Sequence, residues 1–537
     1  MSSRKLSKKS NQPRSRAISG CWNIYPGLLK NAQIKSFVGN GLKPFPTGVR
    51  RNDTDACLPV GRGVFQQPDM AAGRFKPMIS KEVKSELKSI VGAERYLDEK
   101  EDLMLYSYDA FMVKGQPEVV LFPITTEEVS KIMRVATREK IPVTPRGAAT
   151  NLTGGSVPTK GGIVLGFTKM NKILQIDREN RVAVVQPGVI NMDFQKELAK
   201  HGLYYPPDPG SMAVTTMGGN VAENAGGPRA VKYGVTKDYL LGMEVVLASG
   251  EVLRTGAKTI KNVTGYNLTQ LFCGSEGTLG LITEIILKLL PLPEAKRTLQ
   301  AAYKNLSDAG KTVTKVMEAG ILPVALELLD KIFINIIEDY MHLGLPREAE
   351  ALLLIEVDGP EAGVIDQAER LTKLCKEMGA HEIKLAKTAA ENEEIWRARR
   401  SAYGAEARLR PTAIAEDCTV PVTNLVAMFQ EVGKIAQKYN LLIPIVAHAG
   451  DGNLHPQILT DIRDKEEMER VYKAIDEISI KAIELGGTLT GEHGIGIAKR
   501  ELLPIEIGEV AMKITRSLKK AFDPLNILNP DKVVRLT

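Results

Sequence analysis

Three glycine-rich segments within about 130 residues constrain this chain more than anything else in it: PRGAATNLTGG at 145–155, TTMGGNVAENAGGPRAVKYG at 215–234 and GSEGTLG at 274–280. Glycines and small side chains placed just after a strand let backbone amides converge on a ligand and form an anion-binding nest. Each segment alone reads equally well as a surface turn. Together they call for a scaffold of strands that carries three loops to one extended, phosphate-bearing ligand.

The segments around them supply such a scaffold. PEVVLFP reads as a strand, and Thr125 and Glu128 have capping-box spacing before the helix EEVSKIMRVATREK. IPVTP and GGIVLGF read as further strands. KILQID and RVAVVQPG form a hairpin across the polar residues 178–180, and NMDFQKELAKHG is a helix ended by Gly202. Strands and helices mix without strict alternation, which predicts an α+β fold. No Gly-x-Gly-x-x-Gly occurs, so a Rossmann site has no support; Gly310-Lys311-Thr312 imitates a P-loop end, but Asn305 occupies the required glycine position.

The net charge of +7 is concentrated at one end. Residues 1–77 carry 14 Lys/Arg against 3 Asp/Glu, leaving 57 against 61 on the remaining 460. A mildly acidic body does not suit nucleic acid. The leader could be a transit peptide, which would place the protein in mitochondria. Met78 nevertheless opens an amphipathic stretch that reads as a natural start, so 1–77 is expected to be a disordered basic extension. The most apolar run, 281–292, contains Thr283, Glu284 and Lys288 and is no membrane span. The cysteines at 21, 57, 273, 375 and 418 are scattered, without Cys-x-x-Cys. That suits a reducing compartment and excludes an iron–sulfur cluster in any familiar spacing.

Chemistry gathers in the C-terminal half. His448 and His455 flank the turn residues 450–453; a four-residue hairpin loop there would set His448 directly opposite His455, β-carbons ~5 Å apart. With Glu492 they would make a two-histidine, one-carboxylate set for a divalent ion with open positions. In the helix NEEIWRARRSAYGAEARLR, Trp396, Arg399 and Tyr403 share a face, and the guanidinium could clamp a carboxylate. The bland alternatives are core histidines and a solvated charge run.

In order along residues 78–537, PRGAATNLTGG, YYPPDPGS, GGNVAENAGG, KNVTGYNL, GSEGTLG, AHAGDGNLH, GEHGIG and FDPLNILNPDKV resemble the FAD-linked 2-hydroxyacid dehydrogenases, the group of D-lactate dehydrogenase and the glycolate oxidase flavoprotein subunit. The resemblance implies a vanillyl-alcohol-oxidase (PCMH-type) FAD-binding domain at 78–293, a substrate domain with an antiparallel sheet at 294–490, and a segment, 491–537, returning to the flavin. Arg146, Gly147, Ala149, Thr150, Asn151, Gly154 and Gly155 would then cradle the pyrophosphate. Pro207, Asp208, Ser211, Gly218, Asn220, Asn224 and Gly226 would line the isoalloxazine and ribityl region, with Glu276 and Gly277 near the adenosine. His448, His455 and Glu492 match metal ligands (Zn, Mn or Fe), His493 a catalytic base, and Arg399, Tyr403 and Asn453 the substrate side.

The resemblance further implies oxidation of a short 2-hydroxy acid, with electrons passing to an electron-transferring flavoprotein, an iron–sulfur subunit or a quinone-linked chain. It allows a homodimer and a cytoplasmic protein, peripheral to the inner membrane in some settings. D-2-hydroxyglutarate dehydrogenase and a non-redox flavoenzyme like alkylglycerone-phosphate synthase are the alternatives. Hydroxyglutarate-specific members carry a lysine shortly before the counterpart of Asp417; Glu416 stands here, which favours D-lactate or glycolate. No histidine precedes His201, so non-covalent FAD is expected.

Overall fold

The computed structural model describes residues 78–536; the basic extension expected at 1–77 lies outside the described residues. Two sheets are built before residue 290. In the first, Val119–Leu121, Ile163–Gly166 and Val143–Arg146 run parallel, with Tyr96–Leu97 antiparallel at the edge. Val119–Leu121 and Ile163–Gly166 are rich in buried Val, Ile and Leu, as expected for strands covered on both faces. Thr125 caps Thr126–Glu139 through a bond from the Glu128 amide. The expected reciprocal half of that box is missing, because Glu128 accepts from Ile124 N and pairs with Arg95.

The second sheet is antiparallel, in the order Ile173–Asp177, Val182–Val185, Leu281–Lys288, Leu240–Val246, Val252–Gly256, and includes the expected hairpin. The first glycine-rich segment leaves Val143–Arg146, the second precedes Leu240–Val246 and the third leads into Leu281–Lys288; Gly147 meets Thr216 and Gly277 meets Pro145.

From residue 295 the chain builds one large antiparallel sheet. Its order is Glu382–Leu385, Ala295–Tyr303, Ala351–Gly359, Ala325–Asp330, Ile445–His448, Asn453–Thr460, Thr412–Ala415, with Cys418–Thr419 also on Asn453–Thr460. Alternation decides what each face does. In Ala325–Asp330, Leu326 and Leu328 enter the core beneath the helices Leu306–Glu318, Leu425–Tyr439 and Lys465–Glu484. Glu327 and Leu329 take the other face. There Leu329, Leu352, Leu354, Val446 and Leu459 pack on Lys331–Met341 and the helices of 389–406, while a polar end bears Glu327, Glu356, His448 and His455. The expected single helix at 392–410 is two, Ala389–Arg400 and Ala402–Glu406, parted at Ser401, whose hydroxyl donates back to Arg397 O.

The hairpin bearing the histidines turns one residue earlier than expected. Its loop is 449–452, so His448 opposes Asn453 and His455 opposes Val446. Gly452 sits at φ +82°, where a Cβ would come within 2.0 Å of Val420 O, and its amide closes the turn on His448 O. A slip of two residues preserves the face. The imidazoles are therefore diagonal neighbours, ring centroids 4.9 Å apart.

The C-terminal chain returns to the first sheet. Val143 N donates to Ile527 O and Asn529 N to Val143 O, and the Asn529 carboxamide donates to Gly155 O and Glu276 O.

Candidate active site

A cavity of about 790 Å³ runs from the glycine segments to the polar end of the large sheet. At the first end the wall is mostly backbone. The amides of residues 148–151 donate to no protein acceptor, an open row of N–H groups beside Ala149 at φ +57°. Glycine lets the loops touch: a Cβ on Gly147 would come within 2.3 Å of Thr216 Oγ1, and one on Gly277 within 2.3 Å of Pro145 Cγ. An elongated cavity with unpaired amides at a glycine-built wall fits the phosphates of a dinucleotide.

Of the residues expected at the cofactor, Arg146, Gly147, Ala149, Thr150, Asn151, Gly155, Asp208, Ser211, Gly218, Asn220, Glu276 and Gly277 line this cavity. Gly154, Pro207, Asn224 and Gly226 are off its wall. Gly154 backs onto Ile497, and the Pro207 carbonyl accepts from Asn191 and Gln195. The Asn224 side chain accepts from Lys237 N. Gly226 makes room for Glu492, whose Oε2 would lie 2.9 Å from a Cβ there. Arg146 turns its guanidinium to the carbonyls of Tyr108 and Leu105, so only its remainder faces the cavity. Asp208 is partly buried and paired with Arg229 at 3.1 Å; desolvation, opposed by that arginine, raises it to about 6.

At the other end the wall is side chain. His448 Nε2 and His455 Nε2 lie 3.2 and 3.3 Å from Glu492 Oε1, and the three donor atoms fall within 4.8 Å of one another. His448 Nδ1 is 2.6 Å from Glu327 Oε1, which fixes the tautomer and turns the Nε2 lone pair to the cluster. Burial opposes charge on His448, yet Glu327 and Glu492 carry it well above its ordinary range. A field that favours a proton there favours a cation between the three groups equally, so the set fits a divalent ion.

Glu327 is a residue that motif reading missed. It is fully buried, and its second oxygen accepts from Arg399 Nε at 2.8 Å. Burial pushes its carboxyl up, but His448 and Arg399 outweigh that and hold it below the usual range. Only Nε of Arg399 is committed, so its terminal nitrogens remain for a ligand. Trp396 and Tyr403 stand beside Arg399 on the wall, as their spacing predicts. An acid in the middle of the apolar strand VALELLD, out of phase with Leu326 and Leu328, was the available signal.

Asp417 and Lys499 were missed as well. The Asp417 carboxylate accepts from Thr490 Oγ1 and from the amides of Gly491, Glu492 and His493, at 2.7–3.3 Å. Lys499, 1% exposed, donates to it at 2.6 Å and to Leu489 O at 2.9 Å. This clip sets the loop that presents Glu492 and His493. His493 stacks on His455 at 5.2 Å, its Nδ1 3.4 Å from Asp417. Burial takes its imidazole down to about 4 against the pull of Asp417. Asn453 is off the wall, bonded to Thr419 and packed behind Gly491. Glu416 faces Lys499 at 3.6 Å, also off the wall, so it says nothing about substrate length.

Glycine-built loops with open amides at one end of a cavity and a histidine–carboxylate cluster at the other are the arrangement of an FAD-linked oxidoreductase. Residues 117–256 match the FAD binding domain family, and 292–533 match the family "FAD linked oxidases, C-terminal domain". The glycolate oxidase subunit GlcD of Bacillus subtilis is 49% identical, covering 85% of this chain and 97% of its own length. The D-lactate dehydrogenase of Anaerostipes hadrus is 40% identical, covering 86% and 96%. The chain belongs to the FAD-linked 2-hydroxyacid dehydrogenase family, and it is an FAD-dependent enzyme. The fold, PCMH-type with an oxidase C-terminal domain, is shared with 4-ethylphenol oxidase from Gulosibacter chungangensis (TM-score 0.70, 19% identity, 85% of this chain and 98% of that one). Alkyldihydroxyacetonephosphate synthase shares it too (TM-score 0.67, 20% identity, 84% and 86%).

Proposed function

We propose that this enzyme oxidises D-lactate or glycolate to the 2-oxo acid at a divalent-metal site and passes the electrons to an external protein or quinone-linked acceptor. The observation that carries it is the convergence of His448, His455, Glu492 and His493 on the cavity whose far wall is the glycine loops. The names of the two relatives support the substrate class. Bound FAD supplies a hydride acceptor, and a bound divalent ion supplies a Lewis acid for the hydroxyl.

The residues divide the remaining work. His448, His455 and Glu492 hold the ion. Arg399, with Glu327 fixing its Nε, offers its terminal nitrogens to the substrate carboxylate. His493, neutral at any pH well above 4, receives the hydroxyl proton while Asp417 holds its loop. Cys273, Cys375 and Cys418 lie on separate elements, so among the described residues no cysteine cluster can carry electrons onward. No described helix is long and apolar enough to cross a membrane.

The test is anaerobic. Purified protein should contain FAD, and D-lactate or glycolate should bleach its visible absorption without NAD. Flavin absorbance unmoved across a panel of short 2-hydroxy acids would overturn the reading.

A further inference from the structure

We propose that Glu223 is held in its protonated form and donates a hydrogen bond to an acceptor atom of the bound FAD. The proposal rests on this chain holding FAD, not on the choice of hydroxy acid.

Glu223 ends the helix Met217–Glu223, and Glu276 lies on the third glycine segment; both line the cavity. Their carboxyl groups close on one spot: a Cβ on Gly494 would lie 2.5 Å from Glu223 Oε2 and 3.0 Å from Glu276 Oε1. The two acids have unequal surroundings. Glu276 accepts from Ile495 N and Gly496 N, each at 2.8 Å, one bond per oxygen. It sits at φ +51°, and its own amide and carbonyl are tied to Ala222 O and the Asn529 carboxamide. So many bonds over-determine a strained position and leave Glu276 a pure acceptor.

Glu223 has nothing comparable. No donor reaches either oxygen, and Oε2 is buried without a partner. The charged groups nearby bring no relief. Asp109 is another acid, satisfied by Phe111 N, Asn151 and Ser156. Arg146 is spent on the carbonyls of Tyr108 and Leu105, and Lys532 on Val157 O and Thr159. An ionised Glu223 would face Glu276 and Asp109 with no cation in reach. Burial and Glu276 accordingly carry Glu223 well above its ordinary range, while burial raises Glu276 to about 7.

A neutral carboxyl carries one O–H. Glu276, the acceptor beside it, already takes two amide hydrogens, so this O–H turns to the ligand in the cavity that both residues line. FAD offers such atoms on its pyrophosphate and on its ring.

The experiment follows FAD release from the full-length holoenzyme on dilution, by free-flavin fluorescence, from neutral to alkaline pH. Wild type should lose affinity about tenfold per pH unit once the pair deprotonates. Glu223→Gln, which keeps a donor and cannot ionise, should hold FAD with a flat pH profile. Glu223→Leu should release FAD about tenfold more readily at every pH. If ADP binding weakens alongside, the acceptor is a phosphate oxygen; if FAD alone weakens, it lies on the ring or ribityl chain. A pH-independent wild type, a Gln variant with the wild-type profile, or a Leu variant that keeps FAD as tightly would each overturn the proposal. A protein purified without flavin would instead sink the reading of the cavity itself.

Discussion

The two ends of the cavity are built from different materials. The cofactor end is backbone: open amides at residues 148–151 and glycines placed where a Cβ would collide. The substrate end is side chain: buried charges on one sheet face and one C-terminal loop, each neutralised by another buried charge. Backbone sites fail when a side chain is added, because space is what they use. Side-chain sites fail when a partner is removed, because a buried charge without its counter-charge costs several kcal/mol.

The largest expected effect tests that division directly. Glu492→Ala or His455→Ala should remove bound metal and cost several kcal/mol of transition-state stabilisation, about a thousandfold or more in kcat, while flavin absorbance persists. Full turnover in a metal-free preparation would break the comparison. One shell further out, Glu327→Gln and Asp417→Asn should each weaken metal binding by about 10–100-fold, read by chelator competition, with flavin content unchanged. If either variant lost flavin before metal, the two ends would be one cooperative unit.

Gly277→Ala probes the other material. A methyl group would enter the space of Pro145 at φ +69°, an overpacking that costs about 1–3 kcal/mol. Flavin should leave more readily and the melting temperature should fall, with metal content per folded molecule maintained. The smallest effect concerns Glu406, buried beneath the substrate end with both oxygens unpartnered. Burial raises its carboxyl to about 8. The folded chain then keeps a proton that the unfolded chain gives up, so this contribution is whole below the unfolded value and is lost as pH rises through about 8. Glu406→Gln should flatten the stability profile across that window by up to about 1.4 kcal/mol per pH unit. An unchanged slope in urea titrations would show that the proton sits elsewhere.

Legibility followed the same division. Loops 145–155 and 274–280 could be read because glycine spacing is itself the device that brings backbone to a ligand. Arg146 lines the cavity beside such a loop, but that two carbonyls outside the loop hold its guanidinium could be seen only in the fold. The histidines could be read as one face of a hairpin, and a two-residue slip left that intact because the period of a strand is two. Glu416 invited a substrate argument only until Lys499 was seen against it.

The amino-acid order on its own determined the class of scaffold, the three loops and the metal-type triad, because those depend on local spacing that chain geometry translates directly. Glu327 behind His448 and Arg399, the Asp417–Lys499 clip and the lone proton of Glu223 were decided only by tertiary structure. Each depends on which buried charge meets which across 72 to 121 positions or on the lack of a counter-ion, and burial, not sequence distance, sets the strength of those interactions.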